Sequence, residues 1–151
     1  MSRFFDEGLY GDRKRPTLKE YSIKQEDTMS HKGKTHLTIM FTATPENVAE
    51  GDRIFKEHAE WMARTHHRSG ELALLSYSIA KGAELANPLD PSSKPTGNTT
   101  FVLTEVYETP AGVQDHWQQG MQWKDFNAIM AWAGKVKVSS LHGSPIVHSL
   151  W

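Results

Sequence analysis

His116 is the side chain of this 151-residue sequence best suited to move a proton. A neutral imidazole accepts a proton near physiological pH, which makes His116 a candidate general base. The alternative is a helix histidine bonded to a backbone carbonyl or to water. Just before it lies FVLTEVY, residues 101–107. Glu105 and Tyr107 alternate onto the same strand face as Leu103. Tyr107 is either a donor to a substrate oxygen or a core tyrosine with its hydroxyl at the rim. Glu105 on an apolar face requires a partner or a raised pKa. His58 and Trp61 lie three residues apart in an earlier helical stretch, and either line a pocket or pack in a core or interface. Tyr77 offers a second hydroxyl. Trp117 and Trp123 serve either as aromatic walls for a ligand or as core. His66 and His67 read as a solvated helix end. His58 and His66 are eight apart, and no H-E-x-x-H or other compact ligand motif is present, so no metal site is expected. With no cysteine, disulfides, thiol catalysis and Cys-ligated metals are excluded. The sequence has no phosphate loop, dinucleotide fingerprint or nucleophile elbow, and no cofactor is expected.

These residues need elements to position them. Residues 101–107 are rich in β-branched and aromatic types and read as part of a strand over 99–108. Thr109-Pro110 then starts a helix, because Thr can cap free N–H groups and Pro at the first position loses no hydrogen bond. Val113, Trp117 and Met121 form its stripe, with His116 at the margin. Gly120 is a candidate interruption, after which Trp123, Phe126, Ile129 or Met130, and Ala133 continue the stripe. The same grammar occurs earlier. Thr35 to Ala43 alternates as a strand, and Thr44-Pro45 starts a helix running to about His67. Its main stripe is Val48, Phe55, Ala59 and Met62, widened by Ile54, His58 and Trp61. Leu72 to Ala80 is the second strand, with Leu72 and Leu74 on one face and Ala73, Leu75, Tyr77 and Ile79 on the other. Residues 82–97, rich in Pro, Gly and Ser, read as a long loop of the lid or interface kind. A last strand is expected over 135–140 and 146–151, broken by His142-Gly143-Ser144-Pro145.

The order is β-α-β-β-α-β, an α+β ferredoxin-like arrangement with an antiparallel sheet and two helices on one face. The third strand carries Phe101, Leu103 and Tyr107 on one face but Val102 and Val106 on the other. Two helices cover one face, so the second is expected to pack on another subunit's sheet. A homodimer follows.

The formal net charge is −1, which gives no electrostatic reason to bind nucleic acid or an anionic membrane. No apolar run reaches the roughly 20 residues of a membrane span. The first sixteen residues contain acids and lack an apolar core, so they do not read as a secretory signal. A cytoplasmic location is expected. Residues 1–33 mix charges without a period and read as an amino-terminal arm. It either lies on the surface or is disordered, or it binds a partner through Phe4, Phe5, Leu9 and Tyr10. Residues 34–151 make the domain, and the fold is expected to survive loss of residues 1–28.

HLTIMF before a helix, SGELALLSYSIA, and above all VLTEVYETPAGVQDHWQQGMQWKDF carry a resemblance. Over roughly 35–151 the chain resembles the antibiotic-biosynthesis-monooxygenase-like (ABM) branch of the dimeric α/β-barrel proteins. The resemblance implies a dimeric barrel. It also implies a choice of activities: oxygenation of aromatic or phenolic molecules with O2 and no cofactor, haem degradation, or no catalysis. In the cofactor-independent type the substrate is its own reductant and the protein deprotonates it. Haem-degrading members have a Trp in this helix and a ligating His ten residues later. Trp117 matches the former, but Asn127 stands at the latter position and is a poor iron ligand. Two classes of function are therefore expected: a cofactor-independent monooxygenase or related enzyme, and a non-catalytic ligand-binding or assembly protein whose arm contacts a partner.

Overall fold

The computed structural model describes residues 30–150. Its elements are β1 (Thr35–Ala43), α1 (Pro45–Thr65), β2 (Leu74–Leu85), β3 (Pro95–Tyr107), α2 (Pro110–Gly120), α3 (Phe126–Ala133) and β4 (Lys137–Pro145). The class is α+β. The four strands form an open antiparallel sheet in the order β2-β3-β1-β4. Residues 31–149 make one compact unit, and residues 1–29 of the expected arm lie outside the described residues. Among the described residues no helix is long and apolar enough to cross a membrane.

Strand alternation decides which side chains meet the helices. Leu37, Phe41, Phe101, Leu103, Glu105 and Tyr107 are buried on one face of the central pair β1–β3. On the other face Met40 pairs with Val102 and Thr38 with Thr104, and most of these residues keep partial exposure. Helix α1 buries Gly51, Ile54, Phe55, His58, Trp61 and Met62 against the sheet. Their spacing is one continuous stripe at 3.6 residues per turn. The centre of that stripe is His58, not the expected Val48–Ala59 line, and Val48 and Ala59 sit at its half-buried edges. Thr109 caps α2 as expected, its hydroxyl accepting from the Ala111 N–H at 3.2 Å. Thr44 makes no such bond to the backbone of α1.

Other boundaries differ from expectation. Only residues 86–94 of the 82–97 segment form a loop, and residues 82–85 and 95–97 are strand. β2 and β3 continue into the segment as a hairpin, with Gly82 opposite Thr100, Ala83 opposite Thr99 and Leu85 opposite Pro95. Pro95 is tolerated because it is the first residue of its strand. Glu84 fixes the hairpin by accepting from Thr96 and Asn98 at 2.8 and 2.9 Å. In β2 a register shift between Leu74 and Ser76 leaves Leu75 exposed. Leu74 consequently shares the buried face with Tyr77 and Ile79, which the expected alternation had opposed. β4 runs straight through His142-Gly143-Ser144-Pro145, with a register shift against β1, and residues 146–150 form no strand.

The helical stripes after residue 110 are also rotated. Val113, His116 and Gly120 are the buried line of α2, whereas Met121 is exposed. In α3 the buried residue is Trp132, and Met130 faces out. Trp132 fills the centre of an aromatic core with Phe41, Phe55 and Phe101, at ring separations of 5.3–5.8 Å. Its indole N–H donates to the Asn47 carbonyl at 2.8 Å, tying α3 to the start of α1.

Gly51 permits that approach. A Cβ built there would stand 2.7 Å from Trp132 Cζ2 and 3.0 Å from Phe101 Cζ. In an open helix Gly→Ala is stabilising by about 1 kcal/mol, but overpacking costs about 1–3 kcal/mol. Gly51→Ala is therefore expected to lower stability, by up to about 2 kcal/mol net. Urea unfolding checks this: the midpoint should fall at unchanged slope, and a raised midpoint would refute the close-packing account.

Candidate functional site

Below the aromatic core, between the helix-facing side of β1, β3 and β4 and the helices, lies a cavity of about 260 Å³. Its walls are mostly apolar and aromatic: Ile39, Phe41, Leu103, Trp61, Trp117, Trp123, Phe126 and Ile129 among them. Gly120 leaves part of the α2 wall open, since a Cβ there would meet nothing closer than Trp61 at 3.8 Å. The polar lining is His58, His116, His142 and Ser140. Trp61 stacks on Trp123 at 5.4 Å and Trp117 on His142 at 5.1 Å. The indole N–H groups of Trp117 and Trp123 are buried and have no acceptor.

Behind His58 and His116 stands a buried polar cluster. Glu105 is in the middle of the sheet, opposite Leu37 of β1 and Tyr77 of β2, and is fully buried. Tyr107, two residues on and so on the same face, donates its hydroxyl to Glu105 Oε2 at 2.6 Å. Glu105 Oε1 has no hydrogen-bond partner. Burial raises the Glu105 pKa to about 7, against the opposing pull of the Tyr107 bond. Tyr77 and Tyr107 are held well above the ordinary tyrosine range, first by burial and then by the Glu105 charge.

His116 is buried at the centre of this cluster rather than at a stripe margin. Burial, then the neighbouring His58, His66 and His142, lowers its pKa to about 3. His58 is lowered to about 4 by burial and by His66. Both imidazoles are therefore neutral at physiological pH, and His116 does not titrate near it as the sequence led one to expect, because burial disfavours its cation. The 3.9 Å approach of His116 Nδ1 to Glu105 Oε2 is a contact between groups that both favour the uncharged form. His58 Nδ1 lies 2.9 Å from the Tyr77 hydroxyl.

All eight expected site residues converge here. His58, Trp61, His116, Trp117 and Trp123 line the cavity, while Tyr77, Glu105 and Tyr107 form the layer behind. Two histidines were missed. His66 is not a solvated helix end: it is 7% exposed, and its Nε2 is 3.0 Å from His116 Nδ1. α1 stops at Thr65, and His66, in extended conformation, turns inward while His67 stays exposed. His142 was hidden by the unexpected continuation of β4.

Ligating atoms of His58, Glu105 and His116 lie within 4.8 Å of one another, the set among the described residues that can approach a metal ion. Donors about 2.1 Å from one ion sit no more than about 4.2 Å apart, so this set must contract to bind. Ligation through His116 Nδ1 would in addition break its bond to His66. As it stands, the arrangement is a buried hydrogen-bonded cluster beside the cavity. Comparison of the chain with models of protein families, with curated proteins and with solved structures finds no match in any of the three.

Proposed function

We propose that the chain is an oxygenase of the cofactor-independent kind, or a related enzyme, acting on a flat aromatic or phenolic molecule. The observation that carries this is the aromatic cavity with a neutral, buried histidine on its wall. Small-molecule sites are apolar clefts with a few convergent polar groups, commonly 300–1,000 Å³ on the order of magnitude relevant here. A cavity of about 260 Å³ suits a guest of a few fused rings rather than a haem. The two unpaired indole N–H groups favour a guest with carbonyl or phenolic oxygens. His116 is a weak base while the cavity is empty, so it takes a proton from the guest only as the guest's developing anion comes to stand beside the imidazolium, and that anion supplies electrons to O2. For a ring CH2, one oxygen atom becomes the new carbonyl and the other leaves as water with both hydrogens, so atoms and electrons balance. The test is oxygen uptake with a panel of anthrone- and quinol-like substrates. Uptake with carbonyl formation supports the reading. Neither uptake nor binding across the panel would overturn it in favour of a non-catalytic protein. Uptake unchanged in a His116 variant would keep the enzyme and discard this site.

The same reading takes the sheet as a ferredoxin-like half of a dimeric α/β barrel, in the ABM-like manner, in a cytoplasmic protein. Met40 and Leu141, 43% and 50% exposed, and the half-buried Val102 support a second copy as the cover of the helix-free face. Sedimentation at micromolar concentration is expected to give twice 17.1 kDa. A monomer under those conditions would contradict the barrel.

A further inference from the structure

We infer that Thr65 and His66 are positioning residues that fix the tautomer of His116, leaving its Nε2 as the basic nitrogen. This rests on the reading of His116 as the base. Three hydrogen bonds run in a chain from the Trp61 carbonyl through Thr65 and His66 to His116. Thr65 Oγ1 lies 2.9 Å from the Trp61 carbonyl oxygen. Two oxygens at that distance need a hydrogen between them, and only the hydroxyl has one. Thr65 therefore donates to Trp61 and has only a lone pair left for His66 Nδ1, 3.0 Å away. His66 must carry its proton on Nδ1 and donate it to Thr65. Burial lowers the His66 pKa, so the ring is neutral and its Nε2 is an acceptor. The partner at 3.0 Å, His116 Nδ1, must then be the donor. A neutral His116 protonated on Nδ1 has its lone pair on Nε2. That is the nitrogen left for a guest in the cavity His116 lines.

The arrangement also serves the state after proton transfer. With Nε2 protonated, the cationic ring keeps its Nδ1–H on His66, and Glu105 Oε2 stands 3.9 Å from Nδ1. A base in the other tautomer would present an N–H to the guest and could not accept its proton. Thr65 is exposed at the end of α1. Replacing it tests the chain without opening the core.

The experiment is long-range ¹H–¹⁵N correlation NMR on full-length protein with ¹⁵N-labelled histidine, at mildly alkaline pH and without substrate. Expected in the wild type is a single state in which His116 and His66 both carry hydrogen on Nδ1. Thr65→Val removes the acceptor and should replace that state by a tautomer mixture at both rings. Thr65→Ser should restore it. A wild-type His116 protonated on Nε2, or a Thr65→Val spectrum identical to the wild type, would overturn the inference. Because no turnover is read, this result stands apart from the oxygen-uptake test. A fixed tautomer without oxygenase activity would count against the reaction and not against the chain of bonds.

Discussion

His116→Asn is expected to lower oxygen uptake by roughly 10²–10⁴-fold, the range for loss of one acid–base group. Asparagine is the informative replacement. Its amide N–H₂ falls near the place of Nδ1 and can still donate to His66 Nε2, while nothing replaces Nε2. The buried chain of bonds through His66 and Thr65 is thereby kept. Alanine would instead leave His66 Nε2 unpaired in a buried site, at a cost of about 1–3 kcal/mol. A melting temperature close to wild type should accompany the rate loss. Oxygen-electrode rates and a thermal melt on the same sample separate the two effects. A rate within about threefold of wild type, in a folded variant, would remove His116 from the role of base.

This corner of the site was legible because one stretch encodes it. Strand alternation puts Glu105 and Tyr107 on one face, and the Thr109-Pro110 cap sets the start of the helix that carries His116. Pattern alone did not reveal the depth of His116. The apolar Met121 looked like its buried neighbour, whereas the buried position beside it is Gly120, whose missing side chain leaves space in the cavity wall. His66 was out of reach for a different reason. Its role arises from where α1 ends, and helix ends shift by a residue or two without changing the periodic signal. The β2–β3 hairpin was hidden by composition. Gly82, Pro88, Pro91 and Pro95 punctuate the segment, yet paired backbone across Gly82–Thr100 and Ala83–Thr99 outweighs local preference.

Trp132→Ala is expected to destabilise the fold by about 3–5 kcal/mol, as for large aromatic truncations in a core. Trp132 is 2% exposed and touches three other aromatic rings, and its N–H is bonded to Asn47. Truncation removes those contacts, leaves a void among rings held by both α1 and the sheet, and unties α3. The melting temperature should fall on the order of 10–20 °C. Met130→Ala, two residues away at a residue that is 54% exposed and borders the cavity, serves as the comparison and should move it far less. A Trp132→Ala loss below about 1 kcal/mol would mean that α3 is not a structural part of the core.

The account stands on the cavity beside His116 being a binding site for a flat aromatic guest. Tryptophan fluorescence reads this directly, because Trp61, Trp117 and Trp123 all line it. The measurement is a titration with an anthrone-type probe, comparing the wild type with Gly120→Leu, whose side chain would occupy the open part of the wall. The account predicts saturable quenching in the wild type and affinity weakened about tenfold or more in the variant, a difference of about 1.4 kcal/mol. Equal affinity in the two proteins, or no saturable quenching in the wild type, would contradict it.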